Sequence, residues 1–419
     1  MIEKLDQPIV INEEETKKIF SGDNMADLIN LISPHVAPSK KTLIYILPAS
    51  GRFAHMAMEP WALHNIYGDI FDQILIIIPD RSMLQYGDAI YKLASTVVKF
   101  VETTNPHIIG LGHFDVSNVE AGSLFFLFQS PEQLLKDLVR HQLKGNPIKY
   151  MKLSPDLRKQ RDNFFSELAI TDDDRIITVH VREGTYLSSL DYHSFRYMTL
   201  KNYKPAVDYL LNQGYWVVRL GDKTSTSFDI DNPKFLDLPN YKDYEDFMDL
   251  AVISRAYFAL SCPSGPEASA RALGTPSLLL NNIFNTMHTN NEYDLMQPKT
   301  IIDIQNKNRP LSYKEILSKG VINYSLAKEF ETAGLKVEEN TPSEILSAVE
   351  EMLSRLEGTF IEDAKINCAF SEINKRHAKQ TKDKAFGYLL PATKICHNYC
   401  KKHPEFINIK YNQRDNELN

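Results

Sequence analysis

The chain has 419 residues, of which 43% are hydrophobic and 24% charged, and its formal net charge is −7. This length predicts two domains, or three, with enough apolar residues to fold without covalent cross-links. The negative charge argues against a protein that binds nucleic acid. Four scattered cysteines (Cys262, Cys368, Cys396 and Cys400) favour a reducing compartment over a disulfide framework.

The N-terminal residues show no basic start followed by an apolar run, so we expect no secretory signal. The longest notable apolar run, Ile74–Ile78, ends at Pro79 and predicts a buried strand rather than a membrane span. We therefore expect a cytoplasmic protein. Attachment to the inner face of a membrane is compatible with this composition.

The first half of the chain predicts a parallel α/β sheet. The first forty residues have a helical pattern. Next come a strand at Leu43–Leu47, a helix at Phe53–Ile66, a strand at Gln73–Ile78, a helix over 82–104, a short strand at Ile108–Leu111 and Pro-interrupted helices over 130–168. We place the first domain boundary at residue 168.

A second α/β series begins at Thr171. The predicted strands are Arg175–Val181, Tyr215–Leu220, Ala256–Leu260 and Ser277–Leu280, and the helices are Tyr203–Gln213, Tyr244–Ser254 and Pro266–Leu273. Helices follow over 342–355, capped by Thr341 or Ser343, and over 361–387. The predicted fold class is α/β, with Rossmann-like domains at 1–168 and 169–345 and C-terminal helices over 346–419.

One candidate binding element is the segment from His180 to Tyr186, at the end of a predicted strand. Ligands bind beyond the carboxyl ends of parallel strands. The planar guanidinium of Arg182 suits a phosphate group, because it donates two hydrogen bonds and stays charged. The alternative is that Arg182 pairs with a carboxylate and His180 is a core residue.

A second element follows the strand that ends near Leu260. Ser264, Gly265 and the helix that opens at Pro266 predict an anion-binding turn, with Glu267 placed to accept hydrogen bonds from a ribose. Gly221 and Asp222 end another strand of the same sheet and are added to this group. The alternative is an ordinary strand–helix turn.

A third element lies at the first strand–helix junction, where Arg52 and His55 are followed one helical turn later by Glu59. Either His55 or Glu59 is a candidate base for an acceptor hydroxyl, with Arg52 and His55 as acceptor-binding residues. Local capping by His55 is the alternative.

Three further features are ambiguous. The loop over 191–197 is either a lid over a sugar or a surface loop. Cys396, His397, Cys400 and His403 have ligand-like spacing but no second paired set, so we expect no metal there. The acidic run Asp172–Asp174 precedes its strand, at the wrong end of the sheet for a metal-dependent transferase.

Together these segments resemble a bacterial glycosyltransferase family encoded among genes for surface polysaccharides, from about residue 43 to 406. The matching runs are 52–57, the His-x-Arg-Glu-x-x-Tyr run over 180–186, the segment 196–203, the strand Gly214–Asp222, and Ser264–Gly265 with Gly274–Pro276. The His-x-Arg run is similar to that of fucosyltransferases, and the Ser-Gly run to that of heptosyltransferases. Tyr197, Met198 and Thr199 depart from the polar run of the family.

The resemblance implies a GT-B fold, with two Rossmann-like domains facing across a cleft and the C-terminal helices crossing back to the first domain. It implies metal-independent, inverting transfer of a sugar from a nucleotide-sugar donor to a glycan or lipid-linked glycan acceptor, with no cofactor. Arg182 and the Ser264 turn would bind the diphosphate, with His180 and Tyr186 nearby.

Two alternatives from other classes stay open. One is an epimerase or phosphotransferase that uses the same cleft. The other is a catalytically silent binding or scaffold protein of glycan assembly, which the altered residues 197–199 favour.

Overall fold

The computed structural model describes residues 12–83, 87–116, 118–184, 193–283, 291–382, 389–390 and 393–408. The chain divides into two compact units. The first unit contains the chain up to Ala169 together with 245–254 and 272–274, and the second contains the rest. Within the described ranges, no helix is long and apolar enough to cross a membrane.

The first unit is built on a five-stranded sheet with the order β3-β2-β1-β5-β4. Its elements are α1 Glu13–Ile19, α2 Gly22–Ile32, β1 Thr42–Ile46, α3 Phe53–Tyr67, β2 Gln73–Pro79, α4 Asp88–Ala94, β3 Lys99–Thr103, α5 Pro106–Gly110, β4 Val119–Ala121, β5 Leu124–Leu127, α6 Pro131–Leu143, α7 Pro155–Glu167 and α9 Phe247–Ile253. All its pairings are parallel except that of β4 with β5. The residues of β1 are all buried, as expected for a central strand.

Two predictions for this unit are wrong. The single helix predicted over 82–104 is helix α4 followed by strand β3, because the β-branched and aromatic run around Phe100 is buried beside β2. The strand predicted at Ile108–Leu111 is helix α5 and a 3-10 turn. Its helix starts because the Asn105 side chain accepts a hydrogen bond from the N–H of His107, with Pro106 in the first turn.

The second unit is built on a six-stranded, wholly parallel sheet with the order β11-β10-β9-β6-β7-β8. Its elements are β6 Ile176–His180, α8 Lys204–Asn212, β7 Trp216–Leu220, β8 Phe235–Asp237, β9 Ala256–Ser261, α10 Gly265–Leu273, β10 Ser277–Asn282, β11 Leu295–Pro298, β12 Thr300–Asp303, β13 Arg309–Pro310, α11 Tyr313–Ser318, α12 Ala327–Thr332, β14 Leu335–Glu338, α13 Pro342–Leu356, α14 Ala364–Thr381 and α15 His397–Lys402. The last residues of α10 are grouped with the first unit. The small antiparallel sheet β13-β12-β14 was not predicted.

The C-terminal helices differ from the sequence prediction. They were expected to cross back to the first domain, but α13, α14 and α15 are grouped with the second unit. The apolar face of α13, which includes Ile345, Val349 and Met352, is buried in the same core cluster as Leu210 of α8. Helix α13 starts at Thr341, which forms a capping box with Glu344.

The five-stranded and the six-stranded sheet each reverse their strand order at one point. In the second unit, β7 and β8 extend the sheet from one side of β6, and β9, β10 and β11 extend it from the other. This is the order of a dinucleotide-binding Rossmann sheet. In the first unit the reversal lies between β1 and β5. Ligand sites of parallel α/β sheets lie beyond the carboxyl ends of the strands at such a reversal.

Candidate functional site

The segments predicted to bind a donor converge in the second unit. Because all six strands run parallel, their carboxyl ends lie at one edge of the sheet. Arg182 follows β6, and the turn from Cys262 to Gly265 follows the neighbouring strand β9. We call the carboxyl ends of these two strands, with the residues from His180 to Arg182 and from Cys262 to Gly265, the β6–β9 edge.

The guanidinium of Arg182 lacks an ion-pair partner among the described residues. Its Nε is buried without a hydrogen-bond acceptor, as are the Nε atoms of Arg196 and Arg219. Within the described ranges, no carboxylate or carbonyl group accepts a hydrogen bond from its guanidinium. Buried donors are normally satisfied, because each unused one costs about 1–3 kcal/mol. The pairing with a carboxylate that the sequence left open is therefore not formed with any described residue.

Arg182 and the β9–α10 turn lie against the same thiol group. Burial raises the pKa of Cys262, and the backbone N–H of Arg182, the hydroxyl of Ser264 and the charges of Arg182 and Arg196 oppose that effect. Cys262 Sγ also lies 3.4 Å from His180 Nδ1. The two strand ends are thus immediate neighbours, as the sequence predicted.

The turn leads into α10 with the features of an anion site. Ser264, Gly265 and Pro266 are partly exposed, whereas the residues on either side are buried. The first N–H groups of a helix have no partner inside the helix and carry the positive end of its dipole. Such a helix start, in a partly exposed turn next to the strand that Arg182 follows, suits a phosphate ligand.

His180 adds no charge to the edge at neutral pH. Burial, with the charges of Arg182 and Arg219, lowers the pKa of His180 to about 3. The imidazole therefore stays neutral. Its described side-chain contact is with the Cys262 thiol, and the residue is partly exposed.

Another cation near this edge, Lys299, follows β11 and is buried. Its Nζ donates hydrogen bonds to the carbonyl groups of Phe195 (3.0 Å) and Tyr197 (2.7 Å). Burial lowers the pKa of Lys299 to about 8, although Glu339 and Cys262 oppose this. The sequence analysis did not find Lys299, and a lysine directly after a buried strand is the signal that marks it.

The segment from Phe195 to Thr199 joins the strand ends. Arg196 Nη2 donates to the carbonyl of Pro263 (2.8 Å), and the N–H of Met198 donates to the carbonyl of Arg182 (3.0 Å). Thr199 donates through its N–H and its hydroxyl to Glu339. Residues 191 and 192 of the predicted lid, and Tyr186, lie outside the described residues.

The end of β7 is held by a buried ion-pair network. The Arg219 side chain is 1% exposed and donates to Glu183 (2.7 Å), to Asp237 (3.0 Å) and to the carbonyl of Thr226 (2.6 Å). It therefore differs from Arg182, since its partners are in place without a ligand.

The predicted residues Gly221, Asp222 and Glu267 make local contacts. Asp222 accepts hydrogen bonds from the N–H and hydroxyl of Thr224, and a Cβ at Gly221 would lie 2.6 Å from Ser225 Oγ. Glu267 is buried and its Oε1 accepts from Arg271. Gly221 and Asp222 thus form a tight turn directly after β7. Contact of Gly221, Asp222 or Glu267 with a ribose stays a prediction.

In the first unit, His55 and Glu59 lie together beyond the carboxyl end of β1. His55 Nδ1 is 2.6 Å from Glu59 Oε1, and the hydroxyl of Tyr45 donates to Glu59 Oε2 at 2.6 Å. The side chain of Glu59 is 1% exposed and that of His55 is 29% exposed. Arg52 precedes them as the exposed N-cap residue of α3. The sequence analysis missed Tyr45, which is the one polar side chain in the run Leu43–Leu47.

A close backbone approach supports this site. A Cβ at Gly112 would lie 2.8 Å from the carbonyl oxygen of Ile46, the last residue of β1. Only glycine fits that separation without a shift of the backbone. His113 follows directly in sequence. Burial lowers the pKa of His113, and the negative charge of Glu59 partly opposes this effect.

The cysteines and histidines near the C-terminus make structural contacts. His397 Nδ1 accepts from the N–H of Asp363 (3.1 Å), and His403 Nε2 is 2.6 Å from Glu344 Oε1. Cys396 and Cys400 are buried free thiols. In the described part of the chain, no three His, Cys, Asp or Glu side chains are grouped to hold a metal ion.

Several solved structures resemble the chain weakly. No family model matches the chain, and no curated protein matches it. A glycosyl transferase family 9 protein from Veillonella parvula DSM 2008 is 12% identical, with a TM-score of 0.35 over 57% of this chain and 80% of that one. The ADP-heptose lps heptosyltransferase II of E. coli is 12% identical, with a TM-score of 0.30 over 57% and 84%. The dodecameric iron-containing heptosyltransferase TibC of enterotoxigenic E. coli, in complex with ADP-D-beta-D-heptose, is 11% identical, with a TM-score of 0.36 over 76% and 77%. Likenesses at this level support no conclusion about the activity of this chain.

Proposed function

We propose that the chain is a glycosyltransferase of GT-B type that transfers a sugar from a nucleotide-sugar donor to a glycan or lipid-linked glycan, without a metal ion. The donor diphosphate binds at the β6–β9 edge. The unpaired guanidinium of Arg182 beside the start of α10 is the observation that carries this proposal.

The chemistry of the leaving group supports this assignment. In glycosyl transfer from a nucleotide sugar, the diphosphate departs with an electron pair and gains negative charge. A fixed guanidinium and the N–H groups at Gly265 and Glu267 stabilise such charge without moving during the reaction. Lys299 and Arg196 add positive charge nearby, which favours an anionic ligand.

The first unit supports a transferase rather than a nucleotide-binding scaffold. His55 and Glu59 form a histidine–carboxylate pair at the end of its central strand. Such a pair is suited to remove a proton from a hydroxyl group. A binding protein has no need of it, and a phosphotransferase would cleave a phosphorus–oxygen bond instead of the glycosidic bond.

Nucleotide binding provides the first test. ADP, GDP, UDP and CMP are titrated into the protein, and the shift in thermal midpoint is measured. At least one nucleoside diphosphate should stabilise the wild type but not Arg182→Ala. Arg376→Ala is the matched control, because its side chain is 75% exposed and pairs with Glu372 on the surface of the same unit. Equal stabilisation of the wild type and Arg182→Ala would refute the assigned site.

Product analysis separates the proposed glycosyltransferase from an epimerase, a phosphotransferase and a scaffold protein. The wild type is incubated with the nucleotide sugar that matches the best nucleotide and with a panel of glycan acceptors. A glycosyltransferase releases the nucleoside diphosphate and forms a new glycosidic bond. An isomerised nucleotide sugar indicates an epimerase, a phosphorylated acceptor indicates a phosphotransferase, and no turnover indicates a scaffold. The anomeric configuration of the product tests inversion.

Location in the cytoplasm, and peripheral contact with the inner face of the membrane, belong to the same proposal. They follow from the proposed lipid-linked glycan substrate. Sedimentation with vesicles that carry such an acceptor tests the membrane contact.

A further inference from the structure

The histidine–carboxylate pair of the first unit can be resolved into two different roles. The sequence left His55 and Glu59 as equal candidates for the base. We propose that His55 Nε2 is the base for the acceptor hydroxyl and that Glu59 is a positioning residue held in place by Tyr45. This inference rests on the proposed function.

Glu59 is unable to reach a substrate. Its side chain is 1% exposed, and both carboxylate oxygens are engaged: Oε1 with His55 Nδ1 and Oε2 with the Tyr45 hydroxyl, each at 2.6 Å. A general base must lie within hydrogen-bond reach of the proton that it removes. A buried carboxylate with both oxygens in use does not meet that condition.

His55 meets the condition. Its side chain is 29% exposed, and Glu59 is the one hydrogen-bonding partner of its imidazole in the part of the chain that the structure describes. The carboxylate next to Nδ1 selects the tautomer with the proton on Nδ1 and a lone pair on Nε2. The free lone pair then faces away from the carboxylate, where a hydroxyl group can donate to it.

Tyr45 fixes the orientation of the carboxylate. Burial, with the charges of Glu59 and Asp115, raises the pKa of Tyr45 well above its ordinary value. The phenol therefore stays protonated and donates its hydrogen bond. Tyr45 lies in the fully buried strand β1, so the order Tyr45–Glu59–His55 runs from the rigid core to the surface.

The step balances as follows. The acceptor oxygen forms a bond to the anomeric carbon while its proton passes to His55 Nε2. The bond from the anomeric carbon to the diphosphate oxygen breaks, and that electron pair leaves with the diphosphate. The imidazolium formed on His55 is stabilised by the Glu59 carboxylate beside it.

Two measurements test these roles. The first is ¹⁵N NMR of the histidine side chains at a pH at which imidazoles are neutral, with His55 assigned by comparison with His55→Ala. We expect the proton on Nδ1. A proton on Nε2 would overturn the proposal, because Nε2 would then have no lone pair to take the proton of the acceptor hydroxyl.

The second measurement is transfer kinetics. His55→Ala should lower kcat by about 10²–10⁴-fold and leave nucleotide binding unchanged, and added imidazole should restore part of the rate. Glu59→Gln should lower kcat by about tenfold or more. In the ¹⁵N spectrum of Glu59→Gln the proton of His55 should no longer be confined to Nδ1, because the carboxylate that selects this tautomer is gone. His113 and Asp115 stay in place in this variant, so they do not produce this change. Tyr45→Phe should act in the same direction with a smaller effect.

His107→Ala is the matched control, because it removes another partly exposed histidine (34%) that lies 3.5 Å from a carboxylate of the same unit, Glu15. It should leave kcat unchanged. Full activity of His55→Ala, or a larger loss in Glu59→Gln than in His55→Ala, would refute the assignment while the transferase proposal stood. If the wild type bound nucleotides but transferred no sugar, the proposed function and this inference would fail together.

Discussion

Two arginines on adjacent strands should respond in opposite ways to removal. Arg219, in β7, is 1% exposed and bonded to Glu183 and Asp237. Arg219→Ala leaves two partly buried carboxylates without their cation, which costs about 3–5 kcal/mol of unfolding free energy. Arg182, after β6, has no carboxylate partner among the described residues, and its Nε is buried without an acceptor, as is the Nε of Arg219. A buried hydrogen-bond donor without an acceptor costs the folded state about 1–3 kcal/mol. Arg182→Ala should therefore leave the unfolding free energy unchanged or raise it.

Nucleotide binding, in contrast to stability, should be weakened by the loss of the Arg182 side chain. A charge-assisted hydrogen bond contributes about 1.5–3 kcal/mol, so loss of a guanidinium from a diphosphate should weaken binding by about 10- to 150-fold. Urea unfolding gives the stabilities, and titration calorimetry with the best nucleoside diphosphate gives the affinities. The reasoning is refuted if Arg182→Ala is as unstable as Arg219→Ala, or if it binds the nucleotide as tightly as the wild type.

Three further perturbations test the local structure. Burial lowers the pKa of Lys299 from 10.5 to about 8, so between these values the unfolded chain holds a proton that the folded chain has released, and stability should rise with pH relative to Lys299→Met. Urea unfolding of both proteins from pH 7 to pH 10 measures the difference, and parallel curves would contradict the shift. Gly112→Ala should cost about 1–3 kcal/mol, because its Cβ would lie 2.8 Å from the Ile46 carbonyl oxygen; an unchanged thermal midpoint would show that the backbone yields. Thr341→Ala removes the cap of α13 and should cost about 1 kcal/mol in urea unfolding, whereas Ser343→Ala should have little effect.

The sheet edge with Arg182 was predictable because its signals are local. The strands β6 and β9 are apolar runs that end in polar or small residues. The order of strands along the chain then places Arg182 and Ser264 at the same end of the sheet. Gly214 and Gly274, which take positive φ angles of 87° and 80°, mark where two of the helices end. For these elements the sequence carries the structural information within a few residues.

Other contacts depend on residues that are distant in sequence. Tyr45 meets Glu59 only because β1 and α3 pack against each other, and neither residue alone indicates the pair. Lys299 reaches Phe195 across about a hundred residues, through the placement of β11 at the sheet end. The C-terminal helices were assigned to the wrong unit because an amphipathic face shows that a helix is buried but not what it packs against. Arg182 and Arg219 likewise look alike in sequence, since both lie at the carboxyl ends of strands, and only the placement of Glu183 and Asp237 separates them.

A crystal structure of the protein soaked with its best nucleoside diphosphate tests the central claim most directly. We predict phosphate oxygens within hydrogen-bond distance of the Arg182 guanidinium and of the N–H of Gly265. A nucleotide bound elsewhere, with Arg182 still without a partner, would contradict the account.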